Sequence, residues 1–166
     1  MADFASLGWV AVGLEGSDYS LKHRRANWRA LANRNLFTCD ISKPFRLLQN
    51  GRDLRFHLVT AWEVLEHIRI EELETVYKNI VTHLEPGGCF IASTSSSTSI
   101  VGGIELHQTR MPNAAWREWV ERHFPELEPV DLGLRVHQHV RFDFGEPSFL
   151  TYRKRIGAPG ATATPG

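Results

Sequence analysis

The segment from Phe56 to Ser95 contains the pattern that most restricts the fold of this chain. A short apolar strand, FHLVTAW, is followed by a helical segment and then by a second apolar strand, CFIASTS, which begins at Cys89. The helix predicted over Glu71 to Leu84 places apolar residues at i, i+3, i+4, i+7, i+8 and i+11, counted from Leu73. Short unbroken apolar strands that alternate with amphipathic helices are typical of a parallel sheet covered on both faces.

The alternation of strands and helices continues on both sides of this segment. The other predicted elements are a strand, a helix, a strand, a helix and two strands: Val10 to Leu14, Ser17 to Asn33, Leu36 to Cys39, Asn113 to Phe124, Val130 to Phe144 and Ser148 to Lys154. The last two strands are joined by a turn at GEP, which predicts an antiparallel hairpin at one edge of the sheet. The predicted fold class is therefore α/β, with a mostly parallel sheet, helices on both faces and a C-terminal antiparallel strand pair.

Length and composition predict one domain over residues 1–156. The chain of 166 residues is long enough to bury a core. Residues 157–166, GAPGATATPG, are small, uncharged and rich in proline and glycine, so we expect a disordered tail there. Formal net charge is zero, which does not favour nucleic acid as a partner.

Cysteine usage and hydropathy predict a cytoplasmic protein. Cys39 and Cys89 lie inside apolar runs, which is typical of buried free thiols in a reducing compartment. No apolar run approaches the roughly 20 residues of a membrane span. The N-terminus lacks a basic segment followed by an apolar one, so no signal peptide is expected.

Polar residues follow three of the predicted strands: Glu15, Asp40 and the pair Trp62-Glu63. In an open α/β sheet, ligands bind outside the carboxyl ends of the strands. A carboxylate at such an end can accept hydrogen bonds from both hydroxyls of a ribose, and one after the next strand can accept from the amino group of adenine. The alternative is that these acids only cap the helices or turns that follow.

Four segments together resemble class I S-adenosylmethionine-dependent methyltransferases, in their order and in their spacing. They are VAVGLEGSD, FTCDISKPF, FHLVTAWEVLEHI and VTHLEPGGCFIAST, and the resemblance covers about Phe4 to Phe124. The third resembles the motif after strand 4 of that family, and LEPGG resembles its turn before strand 5. The resemblance implies a Rossmann-like fold, S-adenosylmethionine as cofactor and a small-molecule methyl acceptor.

The same resemblance implies roles for six residues around the cofactor. It places Glu15 at the cofactor ribose and Asp40 with Ile41 at the adenine, and Gly16 is a further cofactor-binding residue. It places Ala61 and Trp62 along the methionine side of the cofactor. The face of Trp62 suits a sulfonium, although plain packing is the alternative role for this side chain.

One part of the family pattern is absent from this chain. The first strand and its glycine-rich loop, E/D-x-G-x-G-x-G, have no counterpart, and the chain begins with MADFASLG, which is similar to the end of the helix after that loop. In the family's sheet this strand lies between strands 2 and 4, so we expect unpaired strand edges or direct pairing of those strands. A fragment, a mis-started reading frame and a degenerate homologue all fit this sequence. A non-catalytic methyltransferase-like domain and another Rossmann-like nucleotide binder are therefore alternative functions.

Methyl transfer is an in-line displacement, so the protein mainly aligns its reactants, and a base helps where the acceptor must lose a proton. The candidate bases are His107 and His67. The segment ELHQTRMPNAAWREWV resembles a substrate-side segment of some of these enzymes, which makes His107 a candidate for substrate contact. Glu63 is a second candidate for substrate contact, and orienting the loop is its alternative role. For His67, a local polar contact is the alternative role.

We expect neither a metal site nor a nucleic-acid surface. His137 and His139 fall on one side of a predicted strand, but spacing places no third ligand beside them. The basic segment LKHRRANWR is better explained as a solvated helix face than as an RNA contact. Neither the methyl acceptor nor the oligomeric state follows from the sequence.

Overall fold

A computed structural model of the chain describes residues 2–133, 142–143, 146–147 and 149–157. It divides into two compact units, residues 1–43 and residues 44–166. The predicted tail lies outside the described residues beyond Gly157, and so do His137 and His139. No helix in the described part of the chain is long and apolar enough to cross a membrane.

The N-terminal unit contains a parallel pair of short strands and three short helices. In chain order its elements are α1 (Ala2–Ser6), β1 (Gly13–Glu15), α2 (Tyr19–Lys22), α3 (Trp28–Leu31) and β2 (Leu36–Thr38). Gly13 pairs with Leu36 and Glu15 with Thr38, so the carboxyl ends of β1 and β2 lie side by side.

The single helix predicted from Ser17 to Asn33 is wrong, because two four-residue helices occupy this region. Between them, Arg24 and Ala26 adopt left-handed φ angles of 48° and 44°, which end a right-handed helix. The linking residues from His23 to Asn27 are all exposed. No apolar side chain in that run can hold a continuous helix against a core, and helices this short depend on such packing.

The larger unit is built on a four-stranded sheet in the order β5-β6-β12-β9. Its elements are β3 (Leu48–Gln49), β4 (Arg52–Asp53), β5 (Phe56–Trp62), α4 (Leu73–His83), β6 (Leu84–Ser93), β7 (Ile100–Val101), β8 (Ile104–Glu105), α5 (Asn113–His123), β9 (Leu127–Pro129), β10 (Phe142–Asp143), β11 (Glu146–Pro147) and β12 (Phe149–Lys154). Two 3₁₀ turns, Leu65–His67 and Ile70–Glu72, connect β5 to α4. Strands β5 and β6 are parallel, and β12 runs antiparallel to both β6 and β9.

The predicted α/β class is confirmed, since helices combine here with parallel and antiparallel strands. Strand β5 has the predicted bounds, and α4 is nearly as predicted. The C-terminal strand β12 is antiparallel as expected, but it lies inside the sheet between β6 and β9 rather than at an edge. Residues Leu134 to Arg141, most of the other strand predicted there, lie outside the described residues.

Strand β5 forms one edge of this sheet. Among the described residues, no strand pairs with its outer edge. Leu58 is 38% exposed and Trp62 is 52% exposed, so a strand predicted to be buried on both faces is half open. An unpaired strand edge is one of the two outcomes expected for this sheet without the family's first strand.

The core of the larger unit is an aromatic cluster around Tyr77 of α4. Its ring lies 5.7 Å from Phe90 of β6, 5.4 Å from Trp119 of α5 and 5.3 Å from Phe124, measured between ring centroids. Tyr77 has no exposed surface, and Phe90 has none either. The cluster therefore packs both long helices against the strand that follows β5.

Lys154 joins the end of β12 to the end of α4. Its ammonium donates to the carbonyl of Val81 at 2.7 Å and to that of Leu84 at 2.9 Å. Burial lowers the pKa of Lys154. A cation at the C-terminus of a helix satisfies carbonyls that have no partner inside the helix.

Candidate functional site

The carboxyl ends of β1 and β2 place Glu15 and Asp40 at one edge of the parallel pair. The backbone N–H of Cys39 donates to the carbonyl of Glu15 at 2.9 Å, which extends the pairing past the last ladder residue. Glu15 ends β1, and Asp40 follows Cys39 directly. Two carboxylates that are predicted to bind the cofactor therefore lie at the same end of two neighbouring strands.

The carboxylate of Glu15 is already held by two local donors. The hydroxyl of Ser20 donates to Oε1 at 2.9 Å, and the indole N–H of Trp28 donates to Oε2 at 2.9 Å. Trp28 is buried, so this pair fixes α3 to the end of β1. Each carboxylate oxygen accepts more than one hydrogen bond, which leaves capacity for a ligand hydroxyl on either one.

Asp40 is exposed and carries its charge on a tight turn. Its Oδ1 accepts from the Ser42 hydroxyl at 2.7 Å and from the Ser42 backbone N–H at 3.0 Å. These hydrogen bonds lower the pKa of Asp40. Gly16 and Ile41 stand beside the two acids, and a Cβ added at Gly16 would meet no atom within 4 Å.

Ala61 and Trp62 lie at the carboxyl end of β5, where this strand pairs with the parallel strand β6. Ala61 pairs with Ala92 and Trp62 with Ser93 in the ladder with β6. The exposed indole of Trp62 meets the ring of Phe149 edge to face, at 5.9 Å between centroids. A large aromatic side chain that is half exposed at a strand end is available for contact with a ligand.

The chain turns sharply after β5 at Glu63. This residue has a φ of 52°, which is unusual for a residue with a side chain. Its backbone N–H donates to the Ser93 hydroxyl at 3.1 Å and lies 3.3 Å from the Ser93 carbonyl. The end of β6 thus holds the strained turn that leads from Trp62 into the 3₁₀ segment.

Glu66 is a functional candidate that the sequence predictions omitted. It has no exposed surface, and neither carboxylate oxygen has a hydrogen-bond partner of normal geometry among the described residues. Burial raises the pKa of Glu66 to about 7, and the charge of Glu63 acts in the same direction. The backbone N–H groups of Glu66 and Ser95 and the ring of His107 favour the charged form, but burial outweighs them.

Three hydrogen bonds join the segment around Glu66 to a segment 40 residues further along the chain. The ring Nδ1 of His67 contacts the carbonyl of Leu106 at 3.0 Å. The backbone N–H of Thr109 donates to the carbonyl of Glu66 at 3.0 Å, and its hydroxyl donates to the carbonyl of Ile68 at 2.7 Å. These bonds bring His67 and His107 together, with ring centroids 4.8 Å apart.

His107 is held from its own side by the loop that precedes it. Its ring Nδ1 lies 2.6 Å from the carbonyl of Ser97. Oε1 of Glu105 accepts from the backbone N–H groups of His107 and Ser99, both at 2.9 Å. These hydrogen bonds lower the pKa of Glu105. His107 is 9% exposed, whereas His67 is exposed.

The structure brings some of the predicted residues together. Within the larger unit, His67 and His107 meet beside Glu66, and Ala61, Trp62 and Glu63 follow one another at the end of β5. Within the N-terminal unit, Glu15, Gly16, Asp40 and Ile41 share the edge of β1 and β2. The signal for Glu66 was a charged residue inside the apolar run VLEHI, where a carboxylate is unexpected.

Comparisons with known proteins agree with this architecture. The family described as "Methyltransferase domain" matches residues 2–90, which is more than half of the chain. No curated protein matches the chain.

Solved structures with a similar fold are 13–19% identical in the examples that follow, so they are evidence for the fold alone. The PH0226 protein from Pyrococcus horikoshii OT3 is 13% identical, with 91% of this chain and 76% of that chain covered and a TM-score of 0.59. The glycopeptide N-methyltransferase MtfA, in complex with S-adenosyl-L-homocysteine, is 19% identical, with 92% and 76% covered and a TM-score of 0.56. The N-methyltransferase NodS from Bradyrhizobium japonicum WM9, also in complex with S-adenosyl-L-homocysteine, is 16% identical, with 85% and 64% covered and a TM-score of 0.51.

The family match agrees with the strand-end acids, the parallel strands and the LEPGG turn described above. The resemblance to class I S-adenosylmethionine-dependent methyltransferases is thereby confirmed, and the chain belongs to the methyltransferase domain family.

Proposed function

We propose that this chain transfers a methyl group from S-adenosylmethionine to a small-molecule acceptor. The observation that carries the proposal is the position of Glu15 and Asp40 at adjacent carboxyl ends of parallel strands. Membership of the methyltransferase domain family supports it. Complexes of NodS and MtfA with S-adenosyl-L-homocysteine, and of MtfA with S-adenosyl-L-methionine, support the same cofactor here.

In this proposal Glu15, Gly16, Asp40 and Ile41 contact the nucleoside part of the cofactor. Glu15 accepts hydrogen bonds from the ribose hydroxyls with the lone pairs that Ser20 and Trp28 leave open. Asp40 accepts from the adenine amino group through Oδ2, because its bonds to Ser42 both fall on Oδ1. Gly16 leaves room for the ribose, and Ile41 offers an apolar contact to the base.

The end of β5 then serves the reactive part of the cofactor. Ala61 and Trp62 line the methionine side, where the exposed indole face of Trp62 stabilises the sulfonium charge. His107 is the proposed base for an acceptor that must lose a proton, with His67 as the second candidate. Glu63, at the strained turn, contacts the substrate.

A non-catalytic methyltransferase-like domain is the second candidate function. The outer edge of β5 has no partner strand among the described residues, and this edge is where the family's first strand would lie. A domain with that edge open keeps the strand-end residues without the glycine-rich loop that approaches the cofactor. Binding of the cofactor separates the two candidates.

The proposal also includes a cytoplasmic location and a single methyltransferase domain. Cys39 and Cys89 are both free thiols, which supports a cytoplasmic location. Burial raises the pKa of the Cys39 thiol and so keeps it in its unreactive form. One methyltransferase domain over residues 1–156 followed by a tail remains our proposal for the organisation.

Asp40→Ala is expected to weaken binding of S-adenosylhomocysteine by about 10-fold or more, because a hydrogen bond to a charged group contributes about 1.5–3 kcal/mol. Asp40 is exposed, so the variant should keep its fold. Isothermal calorimetry gives the affinity. Asp53→Ala is the control, since Asp53 is also an exposed carboxylate held by local hydrogen bonds, here from Arg46. Equal affinities of Asp40→Ala and the unmodified protein would refute the adenine role.

A further inference from the structure

The side chains of Glu66, His67 and His107 form a cluster with the composition of a metal site. One ligand atom from each residue can be chosen so that the three atoms lie within 4.8 Å of one another. Glu66 and His107 are buried, and His67 is exposed, so the cluster is open to solvent on one side. Among the described residues, this is the one group of histidine, cysteine and acidic side chains with such an arrangement.

Both histidines are oriented by backbone carbonyls. The Nδ1 of His67 contacts the Leu106 carbonyl at 3.0 Å, and the Nδ1 of His107 contacts the Ser97 carbonyl at 2.6 Å. Because a carbonyl only accepts, each Nδ1 must carry the proton, and a neutral ring then has its lone pair on Nε2. Fixing the tautomer from the far side of the ring is how proteins prepare a histidine for a metal.

A third histidine, His83, has a hydrogen-bond partner on both of its ring nitrogens. His83 also donates from Nδ1 to a carbonyl, that of Asn79, at 2.7 Å. Its Nε2, however, accepts the backbone N–H of Leu47 at 3.0 Å, and its ring stacks on Phe45. Both nitrogens of His83 are therefore used, whereas Nε2 of His67 and of His107 has no hydrogen-bond partner in the described part of the chain.

Glu66 supplies the anionic member of the cluster and is the side chain most in need of a partner. Both of its oxygens are buried and lack hydrogen-bond partners of normal geometry among the described residues. A buried carboxylate is stable only when it is paired, hydrogen-bonded or coordinated to a cation, or when it takes up a proton. The two imidazoles beside it provide the nitrogen ligands that a cation would use.

We propose that Nε2 of His67, Nε2 of His107 and the carboxylate of Glu66 bind one divalent transition-metal ion. Imidazole nitrogen suits zinc, copper, iron and nickel, whereas magnesium and calcium prefer all-oxygen sites. Two nitrogens and one carboxylate match the three-ligand sites that leave a further coordination position open. That position accepts a water or a donor atom from a substrate on the exposed side of His67. With the metal bound, Nε2 of both histidines is occupied, so neither ring then serves as the base proposed above.

Closing the site requires a modest movement of its side chains. In a tetrahedral site, ligand atoms about 2.1 Å from the metal lie about 3.4 Å apart. Ligand atoms that lie up to 4.8 Å apart therefore have to approach one another by up to about 1.4 Å.

The spacing along the chain explains why the sequence predicted no metal site. That expectation considered His137 and His139, which are close in sequence and lie outside the described residues. Here one ligand comes from a residue 40 positions after His67. The hydrogen bonds of Thr109 to the Glu66 and Ile68 carbonyls bring the distant segment into place.

Calorimetric titration of the full chain with ZnCl₂ and with CoCl₂ tests the proposal without any cofactor present. We expect saturable binding of one ion per chain. His67→Asn and His107→Asn should each weaken it by about 100-fold or more, and Glu66→Gln should weaken it as well. His67 is exposed, so His67→Asn keeps the fold and remains informative if Glu66→Gln or His107→Asn fails to fold.

Two controls make the outcome specific. His123→Asn removes an exposed histidine whose Nδ1 also contacts a backbone carbonyl, that of Trp119 at 2.7 Å, and should leave binding unchanged. The double variant His137→Asn/His139→Asn should also leave it unchanged. Absence of stoichiometric binding, equal binding by His67→Asn, or loss of binding in the His137/His139 variant would overturn the proposal. Because no cofactor is used, failure of this site is distinguishable from failure of the proposed methyl transfer.

Discussion

Replacing Tyr77 by alanine is expected to lower the free energy of unfolding by about 4 kcal/mol, since large aromatic-to-alanine changes in cores cost about 3–5 kcal/mol. Tyr77 is fully buried, and its ring contacts Phe90, Trp119 and Phe124. The cavity left behind would open where α4, α5 and β6 meet. In a chain of this size, such a loss lowers the Tm by about 8–16 °C. Urea denaturation followed by tryptophan fluorescence measures it.

Tyr77→Phe is the matched control, because it keeps the ring and removes only the hydroxyl. The Tyr77 hydroxyl is buried without a hydrogen-bond partner in the described part of the chain, and burial raises its pKa well above the usual value. Removing an unpartnered buried hydroxyl should leave stability unchanged or raise it by up to about 1 kcal/mol. A loss below about 1 kcal/mol in Tyr77→Ala, or a large loss in Tyr77→Phe, would contradict the packing described here.

Gly88→Ala should cost about 3 kcal/mol, at the upper end of the range for overpacking a core. A Cβ at this position would lie 2.9 Å from the Glu85 carbonyl oxygen, 3.0 Å from that of Phe56 and 3.3 Å from that of His57. All three obstacles are backbone atoms, so relief requires β6 to shift away from β5 and its own backbone to move near Glu85. The midpoint of urea denaturation should fall with little change in its slope.

Gly87→Asn, at the neighbouring position, is the control for Gly88→Ala. It tests whether the loss of stability comes from the close backbone atoms around Gly88 rather than from the loss of any glycine in this turn. Gly87 has a φ of 80°, which asparagine tolerates better than most residues. An added Cβ would meet only the side chain of Ile156, at an ordinary distance of 3.7 Å. We expect a loss below about 1 kcal/mol. Equal losses in Gly88→Ala and Gly87→Asn would contradict the explanation from backbone crowding.

The LEPGG turn also has a structural role in pairing β6 with β5, apart from its resemblance to a family motif. Phe56 pairs with Leu84 and Leu58 pairs with Cys89, so β6 carries three more residues than β5 between these pairs. The additional residues form a bulge, and Gly88 lets its backbone return against β5. The bulge fixes the register that places Trp62 opposite Ser93 at the carboxyl end.

Local patterns predicted those elements that are marked by a continuous apolar run or by an amphipathic repeat. The bounds of β5 and the extent of α4 followed from one apolar run and one amphipathic repeat. The prediction of one helix from Ser17 to Asn33 failed because the apolar residues of this region are separated by an exposed run. Two residues of that run adopt left-handed φ angles. Periodicity counts apolar residues, and it does not detect such a break.

Long-range pairing could not be predicted from the sequence. The place of β12 inside the sheet depends on two ladders, with β6 and with β9, that join segments far apart in the chain. The candidate site shows the same limit. Glu15 and Asp40 were found because each ends a local strand, whereas Glu66 was missed because its burial depends on the segment around His107.

Titration of the full chain with S-adenosylhomocysteine in a calorimeter is the most direct test of the proposed methyl transfer. We expect saturable binding of one molecule per chain, with a Kd in the micromolar range. Binding at that level would mean that the strand-end residues hold the cofactor although β5 has an open edge. Absence of any binding heat at millimolar ligand, with the protein folded by circular dichroism, would contradict the proposed methyl transfer and favour the non-catalytic domain.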